Sequence, residues 1–484
     1  MLLDIITQTD FAGAIDETYH CPGAAKLSGL FRNIRSENPE GTLYLDAGDI
    51  LCGAPIVNLT EGEPVVEVMN KFAPDAMCLG NHEFDKGEES MCRVLSAAEF
   101  PILCANILSE KTGGLLPFAK RWLMLERCGV KIGVAGVTTE YTPYMVKADM
   151  FVGYKVLPPA EVLREIIPEM RAAGADIIVV LGHLPGNESE TGVIGELGEV
   201  SAALEDVDVM IGGHNLGDVA CVVNGRAYAK AGFSAGKIAR ITLELDDNKK
   251  IIDRSVRVYD TLAMELDPDA GMQQLVDSLM EPYRGALYEE LAELPVRLDV
   301  SRSAECALGN FYTAALAAAG KADIGFFNAT SIFGYMPAGK VNAEMITHVM
   351  CFDEDVFVGE MRGDKLYELF ERTYENVHFE LNGILQFSGL RLVVDTRKPE
   401  GQRVVSLCLE DGSPIEKDRM YRIATTDYIA MGGNDYRGIT DTVAWENTHV
   451  RTHKFFVDYL REKAVLPHET DGRILNLDSE WPVE

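Results

Sequence analysis

Short apolar runs alternate with segments of helical periodicity from Met1 to about Asp260, and each apolar run ends in a polar or glycine-rich turn. Residues 175–181 (ADIIVVL) form one such run, and Gly182 and His183 follow it directly. Fully apolar strands between helices predict an α/β layered domain whose sheet is covered on both faces. Ligands of such folds bind just beyond the strand ends, so functional residues are expected in these turns.

The same periodicity continues in the second half, where helices and strands predict a separate α+β domain. Between the halves, residues 267–294 are acidic and carry apolar residues at helical spacing, which predicts a connecting helix. The predicted domains are therefore residues 1–262, a connecting helix within 263–295, and residues 296–484.
We expect the following elements: strands at 2–7, 41–45, 76–79, 131–137, 176–181, 207–211, 323–327, 356–361 and 390–395, and helices at 24–38, 65–72, 159–173, 306–319 and 363–375.

Charge limits the partners that the chain can bind. The 76 acidic residues outnumber the 44 basic ones, so the formal net charge is −32. Without a basic cluster, a nucleic-acid partner is not expected. An anionic ligand would need a local positive charge, which bound metal ions often supply, so the acidity points towards a metal site.

The sequence also suggests a compartment. No signal peptide is visible in residues 1–10, and no apolar stretch approaches the roughly 20 residues that cross a bilayer. The ten cysteines are scattered singly, which favours buried thiols over disulfides or a zinc ribbon. We therefore expect a cytoplasmic protein with no membrane partner.

Potential metal ligands follow five of the apolar runs. Three of the four histidines before residue 260 lie in these turns, although a single histidine after a strand is more often a hydrogen-bonded loop residue. Carboxylate, amide and imidazole donors together suit Mn, Zn, Fe or a similar ion better than Ca or Mg.
The candidate ligands are Asp10, Asp49, Asn81, His183 and His214.

The order and spelling of these turns resemble the calcineurin-like metallophosphoesterases, and more closely the 5′-nucleotidase family, which adds a C-terminal domain. The family pattern runs D-x-H, GD, GNHEFD, a strand-end histidine and G-H-x-H, and residues 80–85 read GNHEFD here. The resemblance implies an N-terminal four-layer α/β/β/α domain that binds a pair of metal ions. It implies that Asp10 and Asp49 belong to the first ion, and that Asp49, Asn81, His183 and His214 belong to the second.

Two departures concern the first ion. Ala12 stands where the D-x-H motif has its histidine, and Leu216 stands where G-H-x-H has its second histidine. Losing two of four protein ligands should weaken an ion severely. We therefore expect one well-formed metal site and one degraded site, with His20 either a substitute ligand or an ordinary surface residue.

The resemblance also implies a catalytic pair within GNHEFD. His82 would stabilise charge on the transferring phosphoryl group or protonate the leaving oxygen, and Asp85 would orient His82. The alternative is a simple hydrogen bond within the loop.

The second half resembles, segment by segment, the nucleoside-binding domain of the same family. Two aromatic positions, Phe352 and Tyr428, match the rings that stack on a base, although each could instead fill the core beside a turn. Arg302, Asn328 and Asn434 match polar positions of the family's site, but Asn434 replaces an aspartate. The arginine of the family's N-G-G-G-I-R motif is Phe333 here, which removes a bidentate anion donor.

The sequence thus predicts a metal-dependent hydrolase of a small phosphate ester. The partner would be a small, nucleotide-like phosphorylated molecule, cleaved in a 5′-nucleotidase or 2′,3′-cyclic phosphodiesterase reaction. The alternative is a catalytically weak relative that binds a small molecule as a sensor or scaffold.

Overall fold

The computed structural model describes residues 1–147 and 149–481. The chain divides into two compact units, Met1–Tyr283 and Arg284–Glu484, and each is described by itself. The division falls inside 263–295, where the connecting helix was expected; the predicted domain limits themselves stay a prediction. None of the helices in the described residues has the length and apolar character that crossing a bilayer requires.

The first unit is built from alternating strands and helices.
In chain order these are β1 (Leu2–Gln8), α1 (Gly23–Glu37), β2 (Thr42–Asp46), α2 (Pro55–Thr60), α3 (Glu63–Phe72), β3 (Ala76–Cys78), α4 (Gly87–Leu95), β4 (Ile102–Leu103), β5 (Ile107–Ser109), β6 (Ala119–Lys120), β7 (Trp122–Arg127), β8 (Val130–Thr138), α5 (Thr142–Met145), β9 (Tyr154–Val156), α6 (Pro159–Ala172), β10 (Ile177–His183), β11 (Asn187–Ser189), β12 (Gly192–Ile194), α7 (Glu196–Ala202), β13 (Val209–Ile211), β14 (Val219–Val223), β15 (Arg226–Lys230), β16 (Lys237–Leu245), β17 (Ile251–Asp260) and α8 (Ala270–Leu287).

Two large sheets form the centre of the first unit. Among the described residues, one has seven strands in the order β17-β16-β1-β2-β3-β4-β6, and the other has six in the order β14-β15-β13-β10-β8-β7. The sheets share one apolar core, to which Leu45, Ile132 and Val179 contribute. Alternate residues of a strand point to opposite faces, so Ile178 and Val180 pack instead with helix α6.

The outer face of the seven-stranded sheet is also covered. Tyr44 of β2 points away from the shared core and contacts Phe31 of α1, with ring centroids 4.6 Å apart. Phe72 of α3 packs against the same Phe31 ring, at 5.5 Å. Helices therefore cover the outside of both sheets, and the four-layer α/β/β/α arrangement expected from the family resemblance is confirmed.

Helix α8 begins in the first unit and its last residues, 284–287, belong to the second. The second unit contains a different arrangement of elements.
In chain order these are β18 (Glu290–Leu294), β19 (Leu298–Asp299), α9 (Ala307–Gly320), β20 (Ile324–Asn328), β21 (Tyr335–Met336), β22 (Gly339–Asn342), α10 (Ala343–Val349), β23 (Asp355–Arg362), α11 (Gly363–Thr373), α12 (Asn376–Asn382), β24 (Leu385–Ser388), β25 (Leu390–Val394), β26 (Val404–Leu409), β27 (Met420–Thr426), α13 (Asp427–Ala430), α14 (Arg437–Thr440), β28 (Glu446–Arg451), α15 (Thr452–Lys463) and β29 (Ile474–Asn476).

The largest sheet of the second unit has the order β24-β20-β27-β23-β28 in the described residues. Helix α9 packs against it, and the apolar faces of Phe311 and Leu316 join Phe327 of β20 in one core. Strands β20 and β27 are parallel, whereas β23 is antiparallel to β27. The α+β character predicted for this half is confirmed.

Two expectations were wrong in part. The predicted connecting helix ends at Leu287, and residues 290–294 form strand β18, which pairs with Gly339–Asn342. The cysteines are all free, but they are not uniformly buried. Cys21, Cys78, Cys104 and Cys306 are buried, whereas the remainder are partly accessible and Cys128 is exposed, because it lies in the turn between two antiparallel strands.

Candidate metal centre

The five candidate ligands of the first unit lie at the carboxyl ends of strands. Strands β1, β2 and β3 are parallel neighbours in one sheet, and β10 and β13 are parallel neighbours in the other. Parallel strands end at the same edge, so the turns after them converge. The structure brings the two edges together, because His183 at the end of β10 donates from Nδ1 to the Ala47 carbonyl after β2, at 2.7 Å.

Three of these ligands have left-handed backbone conformations. The φ angles are 52° at Asp10, 57° at Asp49 and 78° at His214. Non-glycine residues adopt this region at a cost of about 1–3 kcal/mol, and such residues concentrate at functional sites. Here each of the three conformations occurs in the turn that follows a strand.

Two glycines allow the turns to approach closely. A Cβ atom on Gly80 would lie 2.0 Å from Asp49 Oδ1. A Cβ atom on Gly213 would lie 2.4 Å from Thr9 Oγ1 and 2.8 Å from His183 Nδ1. Any larger residue at either position would displace the candidate ligands.

Glu83, which the sequence analysis did not single out, joins two of the turns. Its buried carboxylate accepts hydrogen bonds from the backbone N–H groups of Gly80 at 2.6 Å and Asp49 at 3.1 Å. It also accepts from Ile50 at 2.8 Å and Leu51 at 3.3 Å. Burial and the Asp49 charge raise the pKa of Glu83 to about 7. The sequence feature that could have identified Glu83 is its position inside GNHEFD, the motif that also contains the candidate ligand Asn81.

A compact set of donors surrounds the Asp49 carboxylate. Ligand atoms of Asp49, His183 and His214 all lie within 4.8 Å of one another, and Asn81 Oδ1 is 2.8 Å from His214 Nδ1. Two ligands at about 2.1 Å from one ion, and at about 90° to each other, are about 3 Å apart. The spacing of Asn81 and His214 therefore suits coordination of a single ion.

A buried nitrogen tests whether these residues fit a metal. Because Nδ1 of His183 donates to a carbonyl, Nε2 is the nitrogen that remains available as a ligand. Nε2 is fully buried and lies 2.9 Å from Asp49 Oδ2, an ion-pair contact that does not have the alignment of a hydrogen bond among the described residues. A cation held between the imidazole and the carboxylate satisfies both groups, so the residues fit a divalent ion of the kind the fold family uses.

The electrostatics concentrate negative charge on Asp49. Burial raises its pKa, but the His183 and His82 side chains outweigh burial and hold the pKa well below its usual range. Burial lowers the pKa of His183, while Asp49 outweighs that effect and raises the value to about 9. Burial and the neighbouring His183 charge lower the pKa of His214 to about 3, which leaves its imidazole neutral and able to coordinate an ion.

Fewer candidate ligands remain at the position that corresponds to the family's first metal ion. Asp10 Oδ2 accepts hydrogen bonds from the Thr9 hydroxyl at 2.5 Å and from the His214 N–H at 3.1 Å. Ala12 is buried and offers no donor side chain, and Leu216 is 64% exposed. His20 Nδ1 lies 3.0 Å from the Thr18 hydroxyl. In the described part of the chain, none of the compact groups of three His, Cys, Asp or Glu side chains includes Asp10.

The predicted catalytic pair is in contact. His82 Nδ1 is 2.8 Å from Asp85 Oδ2, and its Nε2 lies 4.0 Å from Asp49 Oδ2. Burial lowers the pKa of His82, but the carboxylates of Asp85 and Asp49 outweigh burial and raise it to about 10. An imidazolium beside the ligand cluster can stabilise anionic oxygen or give up a proton.

Two further residues near the cluster were not expected from the sequence. Cys52 Sγ forms a second compact group with Asp49 and His82. Lys230, the last residue of β15, is buried at the same edge of the sheet as His214. Burial lowers the pKa of Lys230 to about 8, against the opposing charges of Asp10 and Asp218, so the ammonium is still mainly protonated at neutral pH.

In the second unit, the sheet topology brings several predicted substrate residues to one edge. Asn328 ends β20, Tyr428 follows the parallel strand β27, and Phe352 precedes the antiparallel strand β23. Tyr428 donates from its hydroxyl to Asn434 Oδ1 at 2.8 Å. Asn434 Nδ2 in turn lies 3.4 Å from the Thr330 hydroxyl, which also accepts from Asn328 Nδ2 at 2.5 Å.

The two aromatic residues predicted to stack on a base have different neighbours within the second unit. The Phe352 ring meets Phe333 edge-on, with centroids 6.0 Å apart. Tyr428 packs against the second apolar core of the unit. Arg302 is half-buried, and its carbonyl accepts from Ile384 N at 2.8 Å. The structure thus connects Asn328, Tyr428 and Asn434 through one polar network and places Phe352 beside Phe333.

Comparison with known proteins supports this description. The calcineurin-like phosphoesterase model matches residues 18–217, and the 5′-nucleotidase C-terminal domain model matches residues 290–441. The 5′-nucleotidase of Vibrio parahaemolyticus is 26% identical over 509 residues, covering 95% of this chain and 89% of that protein. Endonuclease YhcR of Bacillus subtilis is 24% identical over 90% of this chain, which spans only 38% of that protein's length.

A solved structure shows the same fold. The crystal structure of a 5′-nucleotidase precursor from Thermus thermophilus aligns with a TM-score of 0.82 at 22% identity, covering 99% of this chain and 100% of that chain. The family matches support metal-dependent hydrolysis of phosphate esters and do not favour the alternative of a sensor or scaffold without catalysis. The chain belongs to the 5′-nucleotidase family, in which a calcineurin-like phosphoesterase domain is joined to a 5′-nucleotidase C-terminal domain.

Proposed function

We propose that this protein hydrolyses a small, nucleotide-like phosphate ester with one divalent ion held by Asp49, Asn81, His183 and His214. The observation that carries the proposal is the buried Nε2 of His183, which lies 2.9 Å from Asp49 Oδ2 in a cluster of potential ligand atoms that also contains His214. Imidazole donors favour Mn, Zn or Fe over Ca or Mg as the native ion.

The chain's own residues supply the remaining chemistry. A bound divalent ion acts as a Lewis acid on the phosphoryl oxygens and lowers the pKa of the attacking water. His82 presents Nε2 on the Asp49 side of the cluster, where it can stabilise the phosphoryl oxygens or protonate the leaving oxygen. Asp85 fixes the orientation of His82 by accepting from Nδ1, so that Nε2 carries the transferable proton.

Residues of the second unit support the proposal that the substrate is nucleotide-like. Asn328 and Asn434 present amide groups at one edge of the sheet, beside the Tyr428 hydroxyl, and such groups can bind the hydroxyls of a ribose. The half-buried rings of Phe352 and Phe333 offer an apolar face to a base. Phe333 stands where the family motif has an arginine. Because the guanidinium is absent, the protein should bind a free monophosphate less tightly than relatives that keep the arginine.

The cysteines support a proposal for the cellular compartment. We propose a cytoplasmic protein, since all ten cysteines are free thiols and four of them are buried. Trapping the accessible thiols of freshly lysed cells with maleimide would test this, and an oxidised population in living cells would contradict it.

The activity is tested with purified protein, added Mn²⁺ and a panel of nucleoside 5′-monophosphates, 2′,3′-cyclic nucleotides and simple phosphomonoesters. We expect hydrolysis of at least one nucleotide, and a loss of at least about 100-fold in kcat for Asn81→Ala and His82→Ala. The exposed His468 provides a matched control, because His468→Ala should leave the rate unchanged. Binding of a nucleotide without any hydrolysis across the panel would contradict the proposal.

A further inference from the structure

Cys52 lies in the turn that carries Asp49, and it has no part in the proposed reaction. Its thiol donates to the Asp49 carbonyl oxygen, which is 3.7 Å from Sγ. The same oxygen accepts the backbone N–H of Ala12 at 3.0 Å, so the thiol and residue 12 converge on one carbonyl. Ala12 stands where the family motif has a histidine. The thiol is therefore a potential metal ligand close to the position that lost one.

Three potential ligand atoms lie close together around this thiol. Cys52 Sγ, a carboxylate oxygen of Asp49 and a ring nitrogen of His82 are all within 4.8 Å of one another. Bonds of about 2.0–2.3 Å place two ligands of a tetrahedral zinc ion about 3.4–3.6 Å apart. His82 Nε2 is 4.0 Å from Asp49 Oδ2, so a shift of about half an ångström brings these two atoms to the required spacing.

His82 is oriented as metal-binding histidines commonly are. Asp85 Oδ2 lies 2.8 Å from Nδ1 of His82, so Nε2 is the nitrogen that can coordinate an ion. The backbone N–H of His82 donates to Asp49 Oδ1 at 2.8 Å, which holds the residue beside that carboxylate. The side chains of His82 and Cys52 are both partly exposed, so an ion can reach them from solvent.

The group formed by Cys52, His82 and Asp49 differs in chemistry from the proposed reaction site. The reaction site offers oxygen and imidazole donors, whereas this group adds a thiol. Sulfur ligands select Zn²⁺ and similar thiophilic ions, so Mn²⁺ should occupy only the reaction site. Asp49 belongs to both groups, and a carboxylate has two oxygens with which it can bridge two ions.

We propose that Cys52, His82 and Asp49 bind a thiophilic ion such as Zn²⁺ or Cd²⁺, and that this ion inhibits the enzyme by occupying His82. The ion forms bonds to Cys52 Sγ and His82 Nε2, and the protons of the thiol and the ring pass to solvent. His82 can then neither stabilise the phosphoryl oxygens nor protonate the leaving oxygen. The inhibition rests on the proposed function, whereas the binding of the ion does not.

Titration of the Mn²⁺-loaded protein with Cd²⁺ tests the binding, because the cadmium–sulfur bond has an ultraviolet charge-transfer band. We expect a saturating band in the wild type and its loss in Cys52→Ser, whose hydroxyl can still donate to the Asp49 carbonyl. Cys92→Ser removes another partly exposed thiol and should keep the band. His82→Gln should weaken the Cd²⁺ affinity at least about tenfold. An unchanged band in Cys52→Ser, or an unchanged affinity in His82→Gln, would overturn the site.

Inhibition is tested by adding Zn²⁺ to the Mn²⁺-loaded enzyme and comparing each protein with its own rate before the addition. Half-inhibition of Cys52→Ser should require at least tenfold more Zn²⁺ than half-inhibition of the wild type or Cys92→Ser. Equal inhibition of all three proteins would overturn the inhibitory role, because Zn²⁺ would then act without Cys52. A protein that shows the Cd²⁺ band but hydrolyses nothing before the addition would contradict the proposed function, and the inhibition with it, but not the ion site.

Discussion

The Glu83 carboxylate accepts a hydrogen bond from the backbone N–H of Asp49, in a different turn, at 3.1 Å. The turn that contains Glu83 also contains the candidate ligand Asn81. The same carboxylate accepts a hydrogen bond from the Gly80 N–H at 2.6 Å. The position of the bridging ligand candidate is thus set by a residue that does not itself coordinate. Outer residues of this kind fix ligand geometry and commonly affect metal affinity by 10–100-fold.

Glu83→Ala should therefore weaken both the fold and the metal site. The substitution leaves the buried N–H groups of Gly80, Asp49 and Ile50 without an acceptor, which costs at least about 2 kcal/mol of unfolding free energy. Denaturant unfolding and Mn²⁺ titration measure the two effects. Glu83→Gln, which keeps one acceptor oxygen, should lose less. The exposed Glu89 is the control, and an equal effect of Glu89→Ala would contradict this role.

Asp85→Asn should impair catalysis without emptying the metal site. The amide cannot hold the His82 imidazolium as the carboxylate does at 2.8 Å, so kcat should fall about 10–100-fold. Elemental analysis of the same protein should show unchanged metal content, because Asp85 is outside the ligand cluster. Asp247→Asn, at an exposed position, serves as the control. A kcat equal to that of the wild type would show that Asp85 does not act through His82.

The second unit should lose stability in mild acid because of His378. This buried imidazole bonds to the Tyr436 hydroxyl at 2.8 Å, and burial, helped by the Arg372 charge, lowers its pKa to about 4. A histidine in the unfolded chain has a pKa of about 6.5. Between about pH 4 and pH 6.5, the unfolded chain therefore binds a proton at this residue that the folded chain does not bind. Stability from this group is complete above about pH 6.5 and falls as the pH drops towards 4, by about 1–2 kcal/mol at pH 5.

His378→Gln removes that titration, so its unfolding free energy should change less between pH 7 and pH 5 than that of the wild type. Urea unfolding at both pH values measures the difference, and His468→Gln, at an exposed site, should retain the wild-type dependence. Identical pH dependence in the His378 variant and the wild type would contradict this assignment.

Phe352→Ala should raise KM for a nucleotide substrate about 5–100-fold, because base stacking on one aromatic ring contributes about 1–3 kcal/mol. The turnover number should change little, since Phe352 belongs to the second unit, whereas the proposed metal site and His82 belong to the first. Steady-state kinetics separate the two constants. Val377→Ala, at a largely exposed position, is the control. A fall in kcat with constant KM would show that Phe352 does not bind the base.

Much of this molecule could be predicted from local sequence. The strand and helix pattern of the first unit depends on short-range periodicity, and the apolar run before His183 became strand β10 as expected. The ligand turns were found because each follows such a run. Convergence of the turns within each sheet required only that the strands be parallel neighbours, whereas the meeting of the two edges also required one sheet to pack on the other.

The errors and omissions involve distant partners. Residues 290–294 (ELAEL) suit a helix locally, but pairing with residues 339–342 makes them a strand. Glu83 and Lys230 look like ordinary charged residues in the sequence, because their importance lies in the backbone groups of other turns that they bind. The Phe352 and Phe333 contact likewise joins two loops that are separate in the chain.

The number of metal ions bound per chain tests the central claim most directly. Elemental analysis of the protein after Mn²⁺ loading and gel filtration should give about one equivalent, and about none for His183→Ala. Two equivalents in the wild type would contradict the one-ion account. One equivalent that persists in His183→Ala would show that the ion binds elsewhere.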